Sequence, residues 1–239
     1  MAVIEWRKEG NVAIVEMCNG PNKMNQIFAE RMNHCLDEIL EDTSVQAMVL
    51  TSTDEKNFSQ GIDVEWIGGK LHAQENQAVI SFMYGMNTIF KRLLLFPVPV
   101  IAAINGHAYG NGAIISCACD FRFMRKDRGF FCFPEVDVSI PFLPGMIGFV
   151  RKAIPESLFN RMLLSGQRMS ATDLETANVI VKACDQAQLM TEVLTFASTF
   201  AKKRGIFQEL KKRMHKELVR ILDEDDSEYI DALNLFVAD

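Results

Sequence analysis

The chain has no apolar run long enough to cross a bilayer, no tight cysteine framework, no low-complexity tract and little excess charge. Each absence excludes something. The most apolar stretch, LLLFPVPVIAAI (93–104), is too short to span a membrane and carries two prolines. The amino-terminal MAVIEWRKEG is charged at Glu5 and has no apolar signal core, and the closing FVAD matches no receptor-read address such as a peroxisomal tripeptide. A soluble, cytoplasmic protein is therefore expected. A formal charge of −6 argues against nucleic acid or an anionic membrane surface as the main partner. The six cysteines (18, 35, 117, 119, 132 and 184) are scattered through apolar segments and read as reduced thiols. Cys117-x-Cys119 with His107 nearby suggests metal ligands, but Ile115, Ser116 and Ala118 around them read as helix packing, so no metal is expected.

What is present is an ordinary globular composition, 49% apolar and 23% charged over 239 residues, enough for one large core. Segments 11–18, 46–52 and 98–104 read as strands, the last two buried. Segments 26–42 and 78–94 read as amphipathic helices. Residues 120–125 and 130–133 around the turn KDRG look like a hairpin. Beyond residue 156 the pattern is helical (158–164, 170–178 with Ser170 or Thr172 as N-cap, 187–204, 207–222), interrupted by one strand at 179–184. The acidic stretch 223–236 reads as a solvated helix start. Strands alternating with helices place the chain in the α/β class.

Two glycine turns carry the chemistry. INGHAYGNGAIISCACDF (104–121) follows one buried strand and KNFSQGIDVEW (56–66) follows another. Both stand where open α/β sheets bind ligands. The first lacks the third glycine of a dinucleotide fingerprint, since Ile115 stands there, and lacks the Gly-Lys-Ser/Thr of a P-loop. An oxyanion hole, with backbone N–H groups holding a charge that exists only during reaction, competes with a plain strand-to-helix turn. Asp120 reads as a cap or turn carboxylate, and His107 as packing within the turn.

With FPEVDVSIPFLPG (133–145) added, the order and spacing of FSQGID, INGHAYGNGAIISCACDFR and this third motif resemble the crotonase, or enoyl-CoA hydratase/isomerase, superfamily over residues 3–205. Around Met124–Pro141 the chain is similar to plant-type Δ3,Δ2-enoyl-CoA isomerases. The resemblance implies a spiral of ββα units over residues 1–185 and a C-terminal helical oligomerisation region over 186–239 that assembles a homotrimer or hexamer. It implies an acyl-CoA thioester substrate and no cofactor beyond the coenzyme A of that substrate. It carries the oxyanion donors onto the N–H of Gln60 and of Asn111, where the family usually has glycine; Asn tolerates left-handed angles best among other residues.

Of the two glutamates of family hydratases, the first position holds Ile114 and the second falls on Glu135, allowing one inserted residue before it. A single carboxylate suits a 3-enoyl to 2-enoyl isomerisation, in which one group removes a proton from C2 and returns it at C4. Phe131, Phe133, Pro134, Ile140 and Phe142 supply apolar neighbours that would raise its pKa. Asp137, two residues on, would share its face in an extended chain and is the candidate second acid. Lys23, Met24 and Asn25 fall on the family's first CoA-contacting loop, and the backbone of Gln60, Gly61, Ile62 and Asp63 on its adenine end. Gly110 belongs to the substrate turn. Trp66, Ile67 and residues 68–77 read as a flexible lid over the acyl chain. Other acyl-CoA reactions (hydration, decarboxylation, thioester hydrolysis) and a catalytically reduced CoA-binding subunit stand as alternatives.

Overall fold

The computed structural model describes residues 2–237. Strands β1 (Ile4–Glu9) and β2 (Val12–Met17) form an antiparallel hairpin, followed by a two-residue strand β3 (Lys23–Met24) and helix α1 (Gln26–Glu41). Asn25 caps α1 by accepting the Phe28 N–H, and Phe28, Met32, Cys35, Leu36 and Ile39 form its buried stripe. Then come β4 (Ala47–Ser52), β5 (Asn57–Ser59), β6 (Gly61–Ile62), α2 (Val64–His72) and α3 (Asn76–Leu95). The next turn of chain gives β7 (Val100–Ile104), β8 (His107–Tyr109) and α4 (Asn111–Ala118). After it lie β9 (Phe121–Arg125), β10 (Phe131–Cys132), a 3₁₀ turn at Glu135–Asp137 and α5 (Pro144–Ala153). The remainder is α6 (Glu156–Ser165), α7 (Ala171–Thr176), β11 (Lys182–Cys184), α8 (Gln186–Ala197), α9 (Arg204–Met214), α10 (Lys216–Arg220), a π-helical turn at Ile221–Asp225 and α11 (Asp226–Asp231).

The main sheet has the order β1-β2-β4-β7-β9-β11, parallel from β2 onward. A smaller parallel sheet has the order β10-β8-β5. Three successive turns of chain thus place one strand in each sheet (β4 and β5, β7 and β8, β9 and β10), which is the expected spiral. Every residue of β4 and β7 is buried, because both faces of the main sheet are covered. One face lies under α1, α3 and α4. The other lies under α8, whose Leu189, Val193 and Ala197 pack on Ile14, Val49, Ile101 and Phe123. Among the described residues no helix is long and apolar enough to cross a membrane.

Several expectations need correction. Residues 120–133 are not a hairpin: both edges of β9 are occupied, by β7 and β11, so the chain leaves for the second sheet, where β10 runs parallel to β8. Strand β1 was not anticipated. The segment 68–77, read as part of a flexible lid, is largely helical: Asp63 caps α2 by accepting from Trp66 N, and helix continues to His72 before α3 begins at Asn76. Trp66 packs edge-on to Phe82, with ring centroids 5.4 Å apart. The helical reading of 207–222 breaks at His215, because α9 and α10 bury different faces: Lys211 of α9 reaches Asp120 and the Val98 carbonyl, while Leu218 of α10 lies on α5. The reading of 187–204 as one helix also fails. A 3₁₀ turn at Ser198–Phe200 ends it and stacks Phe200 on Phe121. Ser170 is the cap of α7, within a full capping box with Asp173.

Candidate active site

The two glycine turns are pressed together. Gly61 lies at φ +84°, and a Cβ there would stand 2.7 Å from the Tyr109 carbonyl oxygen and 3.0 Å from the Asn111 nitrogen. Only glycine permits that approach. Gly110 precedes α4 at φ +52° and ψ −123°, whereas Asn111 begins the helix without a positive φ. The left-handed tolerance expected of Asn111 is therefore not used; the strained position is the glycine before it. As the first residue of a helix, Asn111 has no intrahelical acceptor for its N–H, and among the described residues no other group takes it. Its side chain is buried against Met24, with Nδ2 3.7 Å from Sδ, and its Oδ1 has no partner.

The other expected donor is corrected. The Gln60 N–H already donates to the Pro21 carbonyl at 3.0 Å. In β6 the next inward-facing donor toward β3 is Asp63, which bonds the Met24 carbonyl at 2.8 Å. By strand alternation the N–H of Ile62 is turned away from β3, and Ile62 lines the cavity.

Glu135 opens the 3₁₀ turn after Pro134 and lays its carboxylate over the start of α4: a Cβ on Gly110 would stand 3.1 Å from its Oε1. Its Oε2 is buried and has no hydrogen-bond partner. Burial pushes its pKa up to about 7, with a backbone N–H acting in the opposite direction. Asp137 does not share this position. Residues 135–137 are 3₁₀ rather than extended, so Asp137 is exposed and faces Gly166, where a Cβ would meet its Oδ2 at 2.5 Å.

Glu135 stands at the junction of two spaces. An open cleft of about 460 Å³ is lined by Gln60, Ile62, Gly110, Asn111 and Pro134 among others. Behind it a narrow chamber of about 40 Å³ is walled by Ile67, Met83, Phe142, Met146, Leu235 and Phe236. Ile62, Val64, Asn111, Glu135, Ile140 and Phe236 border both, and among the described residues Glu135 is the one titratable side chain that lines either. Ile114 is buried in the core and lines neither. Phe131 and Phe133 lie wholly buried behind Phe142.

The remaining candidates have structural partners. Asn25 caps α1 and lies 3.5 Å from Asp63, which caps α2, so both side chains join the two helix starts. Lys23 pairs with the exposed Glu65 at 3.5 Å. His107 accepts from the Phe130 N–H and packs between Tyr109 and Phe130. Burial pushes the Cys117 thiol up to about 11 and the Cys119 thiol to about 12, and Lys152 donates to both of their carbonyls, closing α4. Among the described residues no group of three or more His, Cys, Asp and Glu side chains is placed to hold a metal ion. Met83, Met146, Leu235 and Phe236 were missed from sequence; the last two lie about a hundred residues from Glu135, and no local signal marks them.

Comparison with known proteins agrees with this geometry. The family model described as "Enoyl-CoA hydratase/isomerase" matches residues 7–233. A short-chain-enoyl-CoA hydratase of Clostridium acetobutylicum is 28% identical over 213 residues, 86% of this chain and 78% of that protein. Enoyl-CoA delta isomerase 3 of Arabidopsis thaliana is 27% identical over 197 residues, 79% and 81% of the respective chains. The crystal structure of an enoyl-CoA hydratase from Bacillus halodurans superposes with a TM-score of 0.85 over 96% of this chain and 94% of that one, at 18% identity, which speaks to the fold alone. With two thirds or more of its length matched, the fold shared and the glycine turns and Glu135 in place, the chain belongs to the enoyl-CoA hydratase/isomerase family, of the crotonase superfamily.

Proposed function

We propose that this member is an isomerase that moves the double bond of a 3-enoyl-CoA to the 2-position. The observation that carries the reading is Glu135, the single titratable side chain among the described residues that line the cavity, combined with apolar, core-buried Ile114 at the position of the first hydratase glutamate. The thioester lies in the open cleft with its carbonyl oxygen toward the N–H groups of Asn111 and Ile62. The ionised Glu135 removes a proton from C2, and the electrons move onto the thioester oxygen as a dienolate. The same carboxyl then returns the proton at C4, and the double bond settles between C2 and C3. Nothing is gained or lost, so one group suffices. Two backbone donors aimed at the oxygen stabilise charge as it forms; losing one such donor typically costs about 10²–10³ in rate. Coenzyme A enters as part of the substrate. A homotrimer or hexamer, the assembly the resemblance implies, would cover the exposed stripe Ile206, Leu210 and Met214 of α9.

Incubation of the pure protein with 3-enoyl-CoA and, separately, 2-enoyl-CoA tests the reading. The expected product of the first is the 2-enoyl ester, with hydration of the second slower by at least ~10²-fold, the low end for a missing acid–base group. Comparable rates would defeat the single-carboxylate argument. Tight CoA-ester binding with no turnover of either would favour the catalytically reduced subunit.

A further inference from the structure

We propose that the segment Asn234–Val237 sets the acyl-chain length this protein accepts, with Leu235 as the stop at the end of the chamber and Phe236 as its doorpost. The inference rests on the acyl-CoA reading above and deepens it. Leu235 is buried and lines the chamber together with Ile67, Met83 and Met146, while Phe236 borders both the chamber and the cleft and is exposed. A chain whose thioester lies in the cleft and whose C2 meets Glu135 must run into the chamber, toward Leu235.

The segment is held there by three independent anchors. Helix α11 ends at Asp231, and the chain then turns at Leu233, which adopts φ +52°, with Leu233 N–H on the Ile230 carbonyl and Asn234 N–H on the Tyr229 carbonyl. That αL turn folds the chain back over the site. It favours glycine and disfavours leucine by about 1–2 kcal/mol, yet Leu233 packs on the core instead. Further on, the Val237 N–H donates to the Ser139 carbonyl at 3.0 Å, tying the segment to the loop that carries Glu135. At the head of α11, buried Asp226 accepts from Gly145 N at 2.7 Å and from Asn87 Nδ2 at 2.9 Å, fixing the helix to α5 and α3, which supply Met146 and Met83. The segment is therefore tied to the helices that supply Met146 and Met83 and to the loop that carries Glu135.

The chamber is small. Its volume is about 40 Å³, against about 460 Å³ for the open cleft. Short acyl chains fit; longer ones meet the Leu235 side chain.

The test measures affinity for saturated, unreactive acyl-CoA esters of four, eight and twelve carbons by calorimetry, alongside kcat/KM on 3-enoyl-CoA esters of matched length. Wild type, Leu235→Ala, Phe236→Ala and Leu235→Phe are compared. The wild type should prefer the short esters. In Leu235→Ala the long-to-short affinity ratio should rise at least ~10-fold, the low end of what one apolar group too many costs in a pocket. Phe236→Ala should move the ratio the same way and Leu235→Phe the opposite way. The Leu235→Phe arm adds volume and leaves no void, so an effect of lost packing alone would not reverse sign. A ratio unchanged within twofold in all variants overturns the proposal, as does a wild type with no length preference. Length-dependent binding without turnover would defeat the isomerase reading and leave the length stop standing. Failure to bind any ester defeats both.

Discussion

Glu135 at the cavity, half-buried with its Oε2 enclosed, and Asp226 at the head of α11, fully buried, both stand without a cation beside them, and their surroundings treat them in opposite ways. Burial raises the pKa of each above the usual carboxylate range. At Asp226 both oxygens are used: one accepts the Gly145 N–H that would otherwise be an orphan at the start of α5, the other the Asn87 amide. At Glu135, Oε2 has no hydrogen-bond partner, and the residue lines an open cleft of about 460 Å³. A buried acceptor left unpaired typically costs about 1–3 kcal/mol. A fold that satisfies one carboxylate and leaves the other wanting has placed that penalty where an incoming proton relieves it. Burial alone does not mark a reactive group, since Asp226 is the more completely buried of the two.

The sharpest way to break the comparison is to remove the acid from Glu135 while keeping its shape. Glu135→Gln should lower kcat on 3-enoyl-CoA by ~10²–10⁴-fold, the range for a lost general base. KM should change little, because the proposed oxyanion donors are backbone N–H groups that the substitution leaves in place. Asp137→Asn, made in parallel, should keep near-normal turnover, since Asp137 faces Gly166 and solvent. The reverse pattern would move the proton transfer onto Asp137.

Asp226 should answer in stability. Asp226→Ala strands two buried donors, the Gly145 N–H and the Asn87 amide, and opens a void beside Leu222. A loss of about 2–4 kcal/mol is expected. For a chain of this size that is a melting temperature lower by roughly 5–12 °C. A shift under about 2 °C would mean that the two hydrogen bonds contribute nothing net, and the contrast with Glu135 would fall.

How much of this was legible in the sequence follows the range of the interactions. Glu135 and the glycine turns were readable because their chemistry is written in short motifs. In the first turn the motif locates Gly61, but only the pairing of β6 with β3 decides which N–H groups are taken up, and the Gln60 N–H is bonded to Pro21. Asp137 was misjudged because alternation holds only for extended chain. Asp226 was hidden inside an acidic run, DEDDSE, read as solvated; one carboxylate of that run is wholly buried, and nothing in its neighbours separates it from the exposed ones. Leu235 and Phe236 reach the cavity only through the tertiary path of α11. The false hairpin at 120–133 arose because local polarity cannot say which of two sheets a strand will join.

The smallest effect tests the comparison most directly, because it asks whether Glu135 is held uncomfortably in the absence of substrate. Its pKa lies near 7 in the folded protein against an ordinary value of 4.5. The folded value is the higher one, so burial disfavours the charged form. Relative to the unfolded chain, Glu135 carries no penalty while protonated in both states, below about pH 4.5. The penalty grows as the pH rises from there and is complete above about pH 7. A tenfold change in an acid's ionisation equilibrium is worth about 1.4 kcal/mol, and with the cleft open to water a total of about 1–2 kcal/mol is expected at pH 8. Glu135→Gln has no charge to bury, so at pH 8 it should melt a few degrees above the wild type while nearly inactive, and at pH 4 the two should melt together. The same titration appears with opposite sign in the kinetics: kcat/KM of the wild type should rise with pH with a midpoint near 7, as the base form appears. Equal melting temperatures at pH 8 would mean that the carboxylate is well solvated in the free protein, and Glu135 would lose what sets it apart from Asp226.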